Sequence, residues 1–255
     1  VKVNRIELNS STPSNRKYEA VSFSLKGAAV INPIDESFVI NLEAVKFLTD
    51  LSQYEKYMNP AARDEYLLLV NAESPLNESY VPPDLVDIPD ATAKQLREYA
   101  AKALEALLLE ASANKIRYLH VLSAYRSYAV QQYLFPYYVN QEMEQNNLSY
   151  EAAYAAASKY SQPAGKSEHQ TGLAMDITSQ GTLDESFADT PQYKWLAENA
   201  HKFGFILRFP EGKYGKTGIQ FEPWHFRYVG RYHATRIYES GLCLEEYLLT
   251  LNNNG

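Results

Sequence analysis

The sequence predicts an α+β fold with an antiparallel sheet. Segments with a helical spacing of apolar residues and short strand-like segments both occur, but they do not alternate regularly along the chain. Regular alternation is the pattern of a doubly wound parallel sheet, whereas irregular grouping is typical of α+β domains. With 255 residues, of which 45% are hydrophobic, the chain is long enough to bury a core without disulfide bridges.

The N-terminal part has the weakest pattern. Residues 1–60 show no sustained helical or strand period and are predicted to be an extension of unclear role, followed by one domain over residues 61–255. The apolar run at residues 65–71 is bounded by polar residues, which indicates a strand. Four prolines between residues 75 and 89 exclude a helix there and indicate an extended segment.

The middle of the chain is predicted to be mainly helical. Residues 91–115 are rich in Ala, Leu, Lys, Glu and Arg, with apolar residues at helical spacing, which predicts a helix. Residues 118–122 have the composition of a strand. Two further helices are predicted over residues 129–144 and 150–160, because a Gln-Asn-Asn turn separates them.

The C-terminal third mixes both kinds of element. Residues 172–178 and 219–229 have strand character, which supplies further strands for the sheet. Residues 191–203 predict a helix with proline in its first turn. The patterns at residues 231–239 and 244–251 predict two more helices.

Composition excludes several classes of protein. Lys and Arg number 24 against 31 Asp and Glu, so the net charge of −7 disfavours a nucleic-acid partner. Apolar runs such as residues 106–109 are much shorter than the roughly 20 residues of a membrane-spanning helix, so no integral membrane segment is expected. A single cysteine, Cys243, excludes an internal disulfide and a zinc site built from several thiolates.

Any metal must therefore bind to histidine and carboxylate side chains. In the segment 167–176, Ser-Glu-His-Gln-Thr-Gly-Leu-Ala-Met-Asp, a glycine separates His169 from Asp176, so a loop residue and a strand residue can converge on one ion. The segment Glu-Pro-Trp-His ends at His225, a third ligand, with Glu222 three residues before it. Three protein ligands and one open position are typical of catalytic zinc, whose water Glu222 would deprotonate.

Each of these residues has an ordinary alternative. A single histidine is more often a packed or surface residue than a ligand, and Asp176 alone is also typical of a turn or a helix cap. Pro223 excludes the helical arrangement of His and Glu found in many zinc proteases, so a strand or loop must present His225. The combination favours the metal site over the separate alternatives.

Together these motifs resemble a known family, the bacterial D-alanyl-D-alanine and L,D-carboxypeptidases of the lysostaphin, D-Ala-D-Ala peptidase and hedgehog-like zinc fold. The resemblance extends over residues 65–240. It rests on Ser-x-His-x-x-Gly-x-Ala-x-Asp at 167–176, Glu-x-Trp-His at 222–225 and Ser-x-Tyr-Arg-Ser-x-x-x-Gln at 123–131. The pattern Leu-Val-Asn-x-x-x-Pro-Leu at 69–76 is similar to the start of the family's catalytic domain.

The resemblance implies a central antiparallel sheet flanked by helices and one zinc ion per chain. The implied zinc ligands are His169, Asp176 and His225. Glu222 is the implied general base, and Arg126 is implied as a second catalytic residue. Arg126, Gln131 and Ser167 are implied to hold the terminal carboxylate of the substrate, because a guanidinium can pair with a carboxylate through two parallel hydrogen bonds.

The implied function is removal of the terminal D-alanine from peptidoglycan stem peptides. L,D-carboxypeptidase activity on the tetrapeptide is favoured over D,D-carboxypeptidase activity on pentapeptide ends. A non-catalytic, zinc-containing cell-wall binding module is the alternative from another class, although such a module has no need for Glu222 at the metal. We expect an extracytoplasmic protein, associated with the cell wall or anchored through a segment preceding Val1; the oligomeric state and the preferred diamino acid stay open.

Overall fold

The computed structural model describes residues 46–61, 64–89 and 91–252. The helices in these ranges are α1 (Glu55–Met58), α2 (Glu98–Ala113), α3 (Tyr128–Asn146), α4 (Tyr150–Ala157), α5 (Pro191–Asn199), α6 (Tyr214–Thr217), α7 (Arg231–Ser240) and α8 (Leu244–Asn252). The strands are β1 (Leu85–Asp87), β2 (Gln95–Arg97), β3 (His120–Ser123), β4 (Ala174–Thr178), β5 (Phe205–Leu207) and β6 (His225–Tyr228). Within the part of the chain so described, no helix is both long enough and apolar enough to cross a membrane.

A four-stranded antiparallel sheet forms the centre of the fold. Its strand order is β3-β4-β6-β5, and β1 and β2 form a separate antiparallel pair. All five residues of β4 are buried because other elements cover both of its faces. The predicted α+β class and its antiparallel sheet are therefore confirmed.

Helix α2 and the sheet enclose the main core. The face of α2 that meets the sheet carries Leu104 and Leu107, which pack in one cluster with Ile177 of β4 and Phe226 of β6. These four side chains are almost fully removed from solvent. Burying a large apolar side chain contributes about 1.5–3 kcal/mol, so this contact is a main source of the stability that holds β4 and β6 in place.

Helices α3 and α4 form a hairpin with a small core of its own. Phe135 and Val139 of α3 pack against Ala153 and Ala157 of α4. Both helices begin at a serine, whose hydroxyl accepts a hydrogen bond from a backbone N–H in the first turn. The two helices predicted here are confirmed, although α4 ends at Ala157, and so are those predicted at residues 231–239 and 244–251. The helix predicted over residues 191–203 ends at Asn199, and a 3-10 turn follows it over Ala200–Phe203.

Two predicted elements are wrong in part. Residues 65–71 form no strand; a 3-10 turn covers Asp64–Tyr66, and the carbonyls of Tyr66 and Leu68 accept hydrogen bonds from Arg227 at 3.0 and 2.8 Å. The Arg227 side chain thus donates the hydrogen bonds that a neighbouring strand would otherwise supply to these carbonyls. The helix predicted from residue 91 begins at Glu98, because residues 95–97 pair with β1 instead.

The C-terminal strands also differ from the prediction. Strand β5 is absent from the sequence prediction because its three apolar residues follow a helix without a polar alternation. The strand predicted over residues 219–229 is limited to β6, and the residues before it form a turn. Both differences affect where the sheet ends, and the strand that presents His225 is present as predicted.

The extension predicted for residues 1–60 lies mostly outside the described residues. In its described part, Leu51 and Met58 are buried in the main core cluster. The side chain of Glu110 in α2 accepts hydrogen bonds from the backbone N–H groups of Leu48 and Thr49. These contacts attach residues 48–58 to α2, while the boundary near residue 60 stays a prediction.

Candidate active site

Two neighbouring strands bring the first pair of predicted ligands together. In the register of β4 and β6, Asp176 lies directly opposite His225. On the other side of β4, Asp176 lies opposite Ser123 of β3. Because directly opposed side chains on one face are about 5 Å apart, the sheet places the carboxylate beside the imidazole without any loop.

The third predicted ligand reaches the same point from a turn. His169 lies in the 3-10 turn Glu168–Thr171, which ends at Gly172 with φ +66°. A Cβ at this glycine would meet a methyl carbon of Leu85 at 2.8 Å, so no other residue fits without a shift. The turn therefore folds His169 back over β4, which begins two residues after the glycine.

Glu222 enters the site through a second turn. The backbone N–H of His225 donates to the carbonyl of Glu222 at 3.1 Å, which closes a four-residue turn with Pro223 in its second position. Proline favours this position because its fixed φ matches the turn. The Glu222 carboxylate is buried, and its Oε2 lies 3.5 Å from His225 Nδ1.

The two histidines present different ring nitrogens to Asp176. Nδ1 of His169 donates to the carbonyl oxygen of Ala124 at 2.7 Å, which leaves Nε2 facing Asp176 Oδ2 at 3.4 Å. In His225 the order is reversed, since Nε2 lies 3.3 Å from Glu168 Oε2 and Nδ1 lies 3.1 Å from Asp176 Oδ1. The nitrogen free to bind a ligand is therefore set by the partner of the other nitrogen.

These three residues fit a divalent metal such as zinc. One ligand atom from each of His169, Asp176 and His225 lies within 4.8 Å of the other two. Oδ1 of Asp176 is buried and makes no hydrogen bond to any described residue, although His225 Nδ1 is close. A buried carboxylate oxygen without a partner is costly unless a cation binds it, and two imidazoles with one carboxylate are a zinc donor set.

In the metal-free protein the surroundings of the site shift the pKa values of Glu222 and of the two histidines. Burial raises the pKa of Glu222 to about 8, and the nearby Asp176 carboxylate adds to this effect, although His225 opposes it. Burial alone would lower the pKa of His225, but its contacts with the carboxylates of Asp176 and Glu168 raise it to about 9. Burial and the Arg126 charge lower the pKa of His169.

The pKa of Asp176 shifts in the opposite direction from that of Glu222. Burial acts to raise it, but contacts with His169 and His225 hold the pKa well below its usual value. Asp176 therefore stays ionised, whereas Glu222 has a high proton affinity. Two carboxyl groups whose pKa values are moved apart are typical of a site in which one binds and the other transfers a proton.

Arg126 lies beside the metal cluster. Its Nη1 donates to Ser123 Oγ at 2.6 Å and lies 3.7 Å from Asp176 Oδ2. Its Nε donates to Oε1 of Gln131 at 2.9 Å. Among the described residues, Nη2 of Arg126 has no hydrogen-bond partner, so this end of the guanidinium is available to an anion in the cavity.

The predicted carboxylate-binding residues do not all reach the cavity. Arg126 and Ser167 line a cavity of about 730 Å³ that also contains the metal cluster and Glu222. Gln131 is buried behind Arg126, and its amide donates to the carbonyl of Gln162 at 2.6 Å. Because both ends of its amide are engaged by protein, Gln131 is placed to hold Arg126, and direct contact with a substrate stays a prediction.

Glu168 is a functional candidate that the sequence analysis missed. It is buried behind His225, where Arg208 Nε donates to its Oε1 at 2.7 Å and Arg227 Nη1 lies 3.4 Å from the same oxygen. Arg208 also makes two hydrogen bonds to Glu245 of α8, at 2.9 and 2.6 Å. We refer to Glu168, Arg208, Arg227 and Glu245 as the rear charge cluster.

Sequence offered only a weak signal for this cluster. Glu168 adjoins His169, but its arginine partners are about forty and sixty residues away, and no spacing rule connects them. Burial acts to raise the pKa of Glu168, but the two guanidinium groups and His225 outweigh it and hold the pKa well below its usual value. Glu168 is therefore an ionised carboxylate that touches a predicted metal ligand.

The chain is similar in sequence to known proteins. Residues 93–231 match the family VanY, described as D-alanyl-D-alanine carboxypeptidase, and this range contains the metal cluster, Glu222 and Arg126. YodJ of Bacillus subtilis is 35% identical over 227 residues, which cover 85% of this chain and 78% of YodJ.

Two solved structures are similar in both sequence and fold. A mutant of the vancomycin resistance D,D-pentapeptidase VanY in complex with Zn(II) is 37% identical, with a TM-score of 0.63 over 72% of this chain and 98% of that chain. The LdcB LD-carboxypeptidase, whose structure concerns peptidoglycan recognition, is 38% identical, with a TM-score of 0.61 over 71% of this chain and 84% of that chain. At these identities the similarity extends beyond the fold.

Proposed function

The chain belongs to the VanY family of D-alanyl-D-alanine carboxypeptidases, and we propose that it is a zinc carboxypeptidase that removes the terminal D-alanine from peptidoglycan stem peptides. One observation carries this proposal: a zinc donor set, a buried carboxyl group and a partly free guanidinium line one cavity. His169, Asp176 and His225 would hold one zinc ion per chain. The presence of Zn(II) in the VanY relative supports this choice of metal.

Glu222 is the general base in the proposed reaction. A bound zinc ion would supply a polarised water and positive charge for the reacting carbonyl. The Glu222 carboxylate takes the proton of the attacking water and delivers it to the amine of the leaving D-alanine. Burial raises the pKa of Glu222 in the metal-free protein, and a bound cation would lower it again, so that the carboxylate could accept a proton.

Arg126 is the second residue of the proposed machinery. Its free Nη2 and the nearby Ser167 bind the carboxylate at the end of the substrate, and Gln131 keeps the guanidinium in position. Arg126, Ser167 and Glu222 line one cavity, so an anchored terminal carboxylate would lie close to the reacting bond. The arrangement thus favours removal of a single terminal residue over cleavage within a peptide.

For the finer specificity we propose L,D-carboxypeptidase activity on the stem tetrapeptide. The LdcB LD-carboxypeptidase supports this choice, because it is 38% identical and covers 71% of this chain. D,D-carboxypeptidase activity on pentapeptide ends is the second candidate, which the VanY pentapeptidase at 37% identity favours. The two substrates differ in the configuration of the residue before the scissile bond, which the cavity walls around Tyr138 and Trp224 must distinguish.

The proposed substrate also implies a place of action. Stem peptides of mature peptidoglycan lie outside the cytoplasmic membrane, so we propose an extracytoplasmic enzyme associated with the cell wall. The partner is then the stem peptide itself, and the acidic chain, with a net charge of −7, has no bulk attraction to a polyanion.

Release of D-alanine from defined peptides tests the proposal. The zinc-loaded protein is incubated separately with a tetrapeptide ending in L-diamino acid and D-Ala and with a pentapeptide ending in D-Ala-D-Ala, and free D-alanine is followed by mass spectrometry. Release from the tetrapeptide alone is expected. Release from the pentapeptide alone would instead identify the protein as a D,D-carboxypeptidase.

The Glu222→Gln variant is the control for catalysis. It is expected to bind zinc and peptide but to release no D-alanine. If neither peptide is cleaved by the wild-type protein, while both bind, the non-catalytic binding module replaces the enzyme.

A further inference from the structure

We propose that Glu168 is a positioning residue that holds the ring of His225 with its proton on Nε2, so that Nδ1 is the nitrogen available to zinc. The inference deepens the proposed zinc site and rests on it. Glu168 is not itself a proposed metal ligand, since the three ligand atoms belong to His169, Asp176 and His225. Its side chain also lines the same cavity, and its contact with the proposed ligand set is the one to His225 Nε2.

The two oxygens of Glu168 have separate partners. Oε1 accepts from Arg208 Nε at 2.7 Å and faces Arg227 Nη1 at 3.4 Å. Oε2 faces His225 Nε2 at 3.3 Å. Because two guanidinium groups occupy one oxygen, the carboxylate cannot rotate away from the imidazole without losing charge-assisted hydrogen bonds in a buried place.

The other ring nitrogen of His225 faces the proposed metal site. Nδ1 of His225 lies 3.1 Å from Asp176 Oδ1 and 3.5 Å from Glu222 Oε2, the atoms around the proposed ion. A neutral imidazole carries one proton and binds a metal through the other nitrogen. A carboxylate can only accept, so Glu168 favours the proton on Nε2 and leaves the lone pair of Nδ1 directed at the metal cluster.

The two histidine ligands differ in this respect. His169 is held by a neutral partner, the backbone carbonyl of Ala124 at 2.7 Å. His225 is held by a full negative charge that is fixed from behind. A carboxylate raises the basicity of the imidazole more than a carbonyl does, so the contribution of Glu168 to metal affinity is expected to be substantial.

The substitution Glu168→Gln reverses the hydrogen-bond requirement at the ring. Arg208 and Arg227 need an acceptor, so they orient the new carboxamide with its oxygen towards them. Its NH₂ group then faces His225 Nε2 and favours a lone pair there. The proton moves to Nδ1, where it opposes the metal, although the side chain has the same shape as glutamate.

The test measures zinc affinity by competition with a chromophoric chelator. Glu168→Gln is expected to weaken zinc binding about 10- to 100-fold relative to wild type. The matched control is Glu245→Gln, which removes a charge from the rear charge cluster but has no contact with His225, and its zinc affinity is expected to stay within about threefold of wild type.

A second readout comes from nitrogen-15 NMR of the zinc-loaded protein. The wild type is expected to show a proton on His225 Nε2 that exchanges slowly with water, and Glu168→Gln is expected to lose this signal. If Glu168→Gln fails to fold, Glu168→Asp replaces it, since the shorter carboxylate keeps its charge but does not span Arg208 and His225; its zinc binding is expected to weaken about tenfold.

The outcomes separate this inference from the proposed function. Zinc affinity and an Nε2 signal that are unchanged in a folded Glu168 variant would overturn the inference while the enzyme stands. A wild-type protein that does not bind zinc would overturn both. Equal losses in Glu168→Gln and Glu245→Gln would assign the effect to the rear charge cluster as a whole and contradict a specific action on His225.

Discussion

The metal-facing residues and the rear charge cluster are both buried and charged, but their hydrogen bonding differs. In the rear charge cluster, Glu168 and Arg208 make charge-assisted hydrogen bonds to fixed partners. In front, Asp176 Oδ1 has no hydrogen-bond partner among the described residues, and Glu222 has a raised pKa. The charges of the rear charge cluster are therefore compensated within the protein, whereas the metal-facing residues require a bound cation.

This difference shows how a stable fold can contain a site whose charges are energetically unfavourable. An unpaired buried carboxylate costs free energy, and residues held in such a state persist only where their surroundings fix them. Here β4 and β6 fix the front from two sides, and the rear charge cluster fixes His225 from behind. We expect substitution of Glu222 to act mainly on turnover and substitution of Arg208 mainly on stability, whereas Glu168 links the rear charge cluster to the metal through His225.

The largest expected effect lies in front and spares the fold. Glu222→Gln removes the group that accepts the water proton, so kcat for D-alanine release is expected to fall about 10²- to 10⁴-fold. Zinc affinity is expected to stay unchanged because Glu222 lies outside the three ligands. Peptide turnover and zinc titration measure the two quantities, and a loss of both would contradict the separation of roles.

The second-largest effect is expected in the rear charge cluster. Arg208→Met removes the partner of the buried Glu168 and the half-buried Glu245, and is expected to lower the free energy of unfolding by about 3–5 kcal/mol, since an unpaired buried charge remains at Glu168. The matched control is Lys213→Met, which breaks another ion pair to α8 that is more exposed to solvent. That pair is expected to contribute about 0–1 kcal/mol. Urea denaturation compares them, and equal losses would remove the distinction between buried and exposed pairs.

A third prediction concerns the pH dependence of the metal-free protein. The pKa of Glu222 is raised to about 8 from a usual 4.5, so the folded state binds the proton more tightly than the unfolded state. This stabilising effect is complete below pH 4.5 and is lost as the pH rises through 8. Glu222→Gln does not titrate, so at pH 8 it is expected to be about 1–3 kcal/mol more stable than wild type.

Thermal unfolding at pH 4.5 and pH 8, with a chelator present, measures this difference. The two proteins are expected to have similar stability at pH 4.5. If Glu222→Gln is less stable than wild type at pH 8, the ionised Glu222 carboxylate is stabilised by its surroundings. This result would contradict the difference between the metal-facing residues and the rear charge cluster.

The smallest expected effect concerns Gln131. Gln131→Ala removes the acceptor of Arg126 Nε, and one hydrogen bond of about 1 kcal/mol is lost. The KM for the peptide is expected to rise about fivefold to tenfold, with zinc affinity unchanged. A peptide amide that lacks the terminal carboxylate is the control substrate. If the variant affects the amide and the acid equally, Gln131 does not act through carboxylate binding.

Much of the front of the site could be predicted from the sequence. His169, Asp176, Glu222 and His225 lie in two short segments whose spacing across a glycine and a proline is informative. Arg126 follows a strand, and this placement was also visible. The antiparallel sheet followed from the irregular order of elements, because long apolar segments with a clear period are the easiest to assign.

The back of the site could not be predicted in this way. Glu168 meets Arg208 and Arg227 only after β4, β5 and β6 have paired, so their contacts depend on tertiary structure. The strand predicted at residues 65–71 was wrong for the same reason, since Arg227 takes up its backbone carbonyls. Gln131 is predicted from the sequence to bind the substrate, but its amide contacts Arg126 and the segment that follows α4.

Restoration of activity by zinc tests the central claim most directly. The protein is stripped with a chelator, zinc is added back in steps, and D-alanine release from the stem peptides is measured at each step. We expect no release without metal, a linear rise up to one zinc ion per chain, and no further rise beyond that point. Release that persists in the stripped protein, or that zinc does not restore in a folded protein, would contradict it.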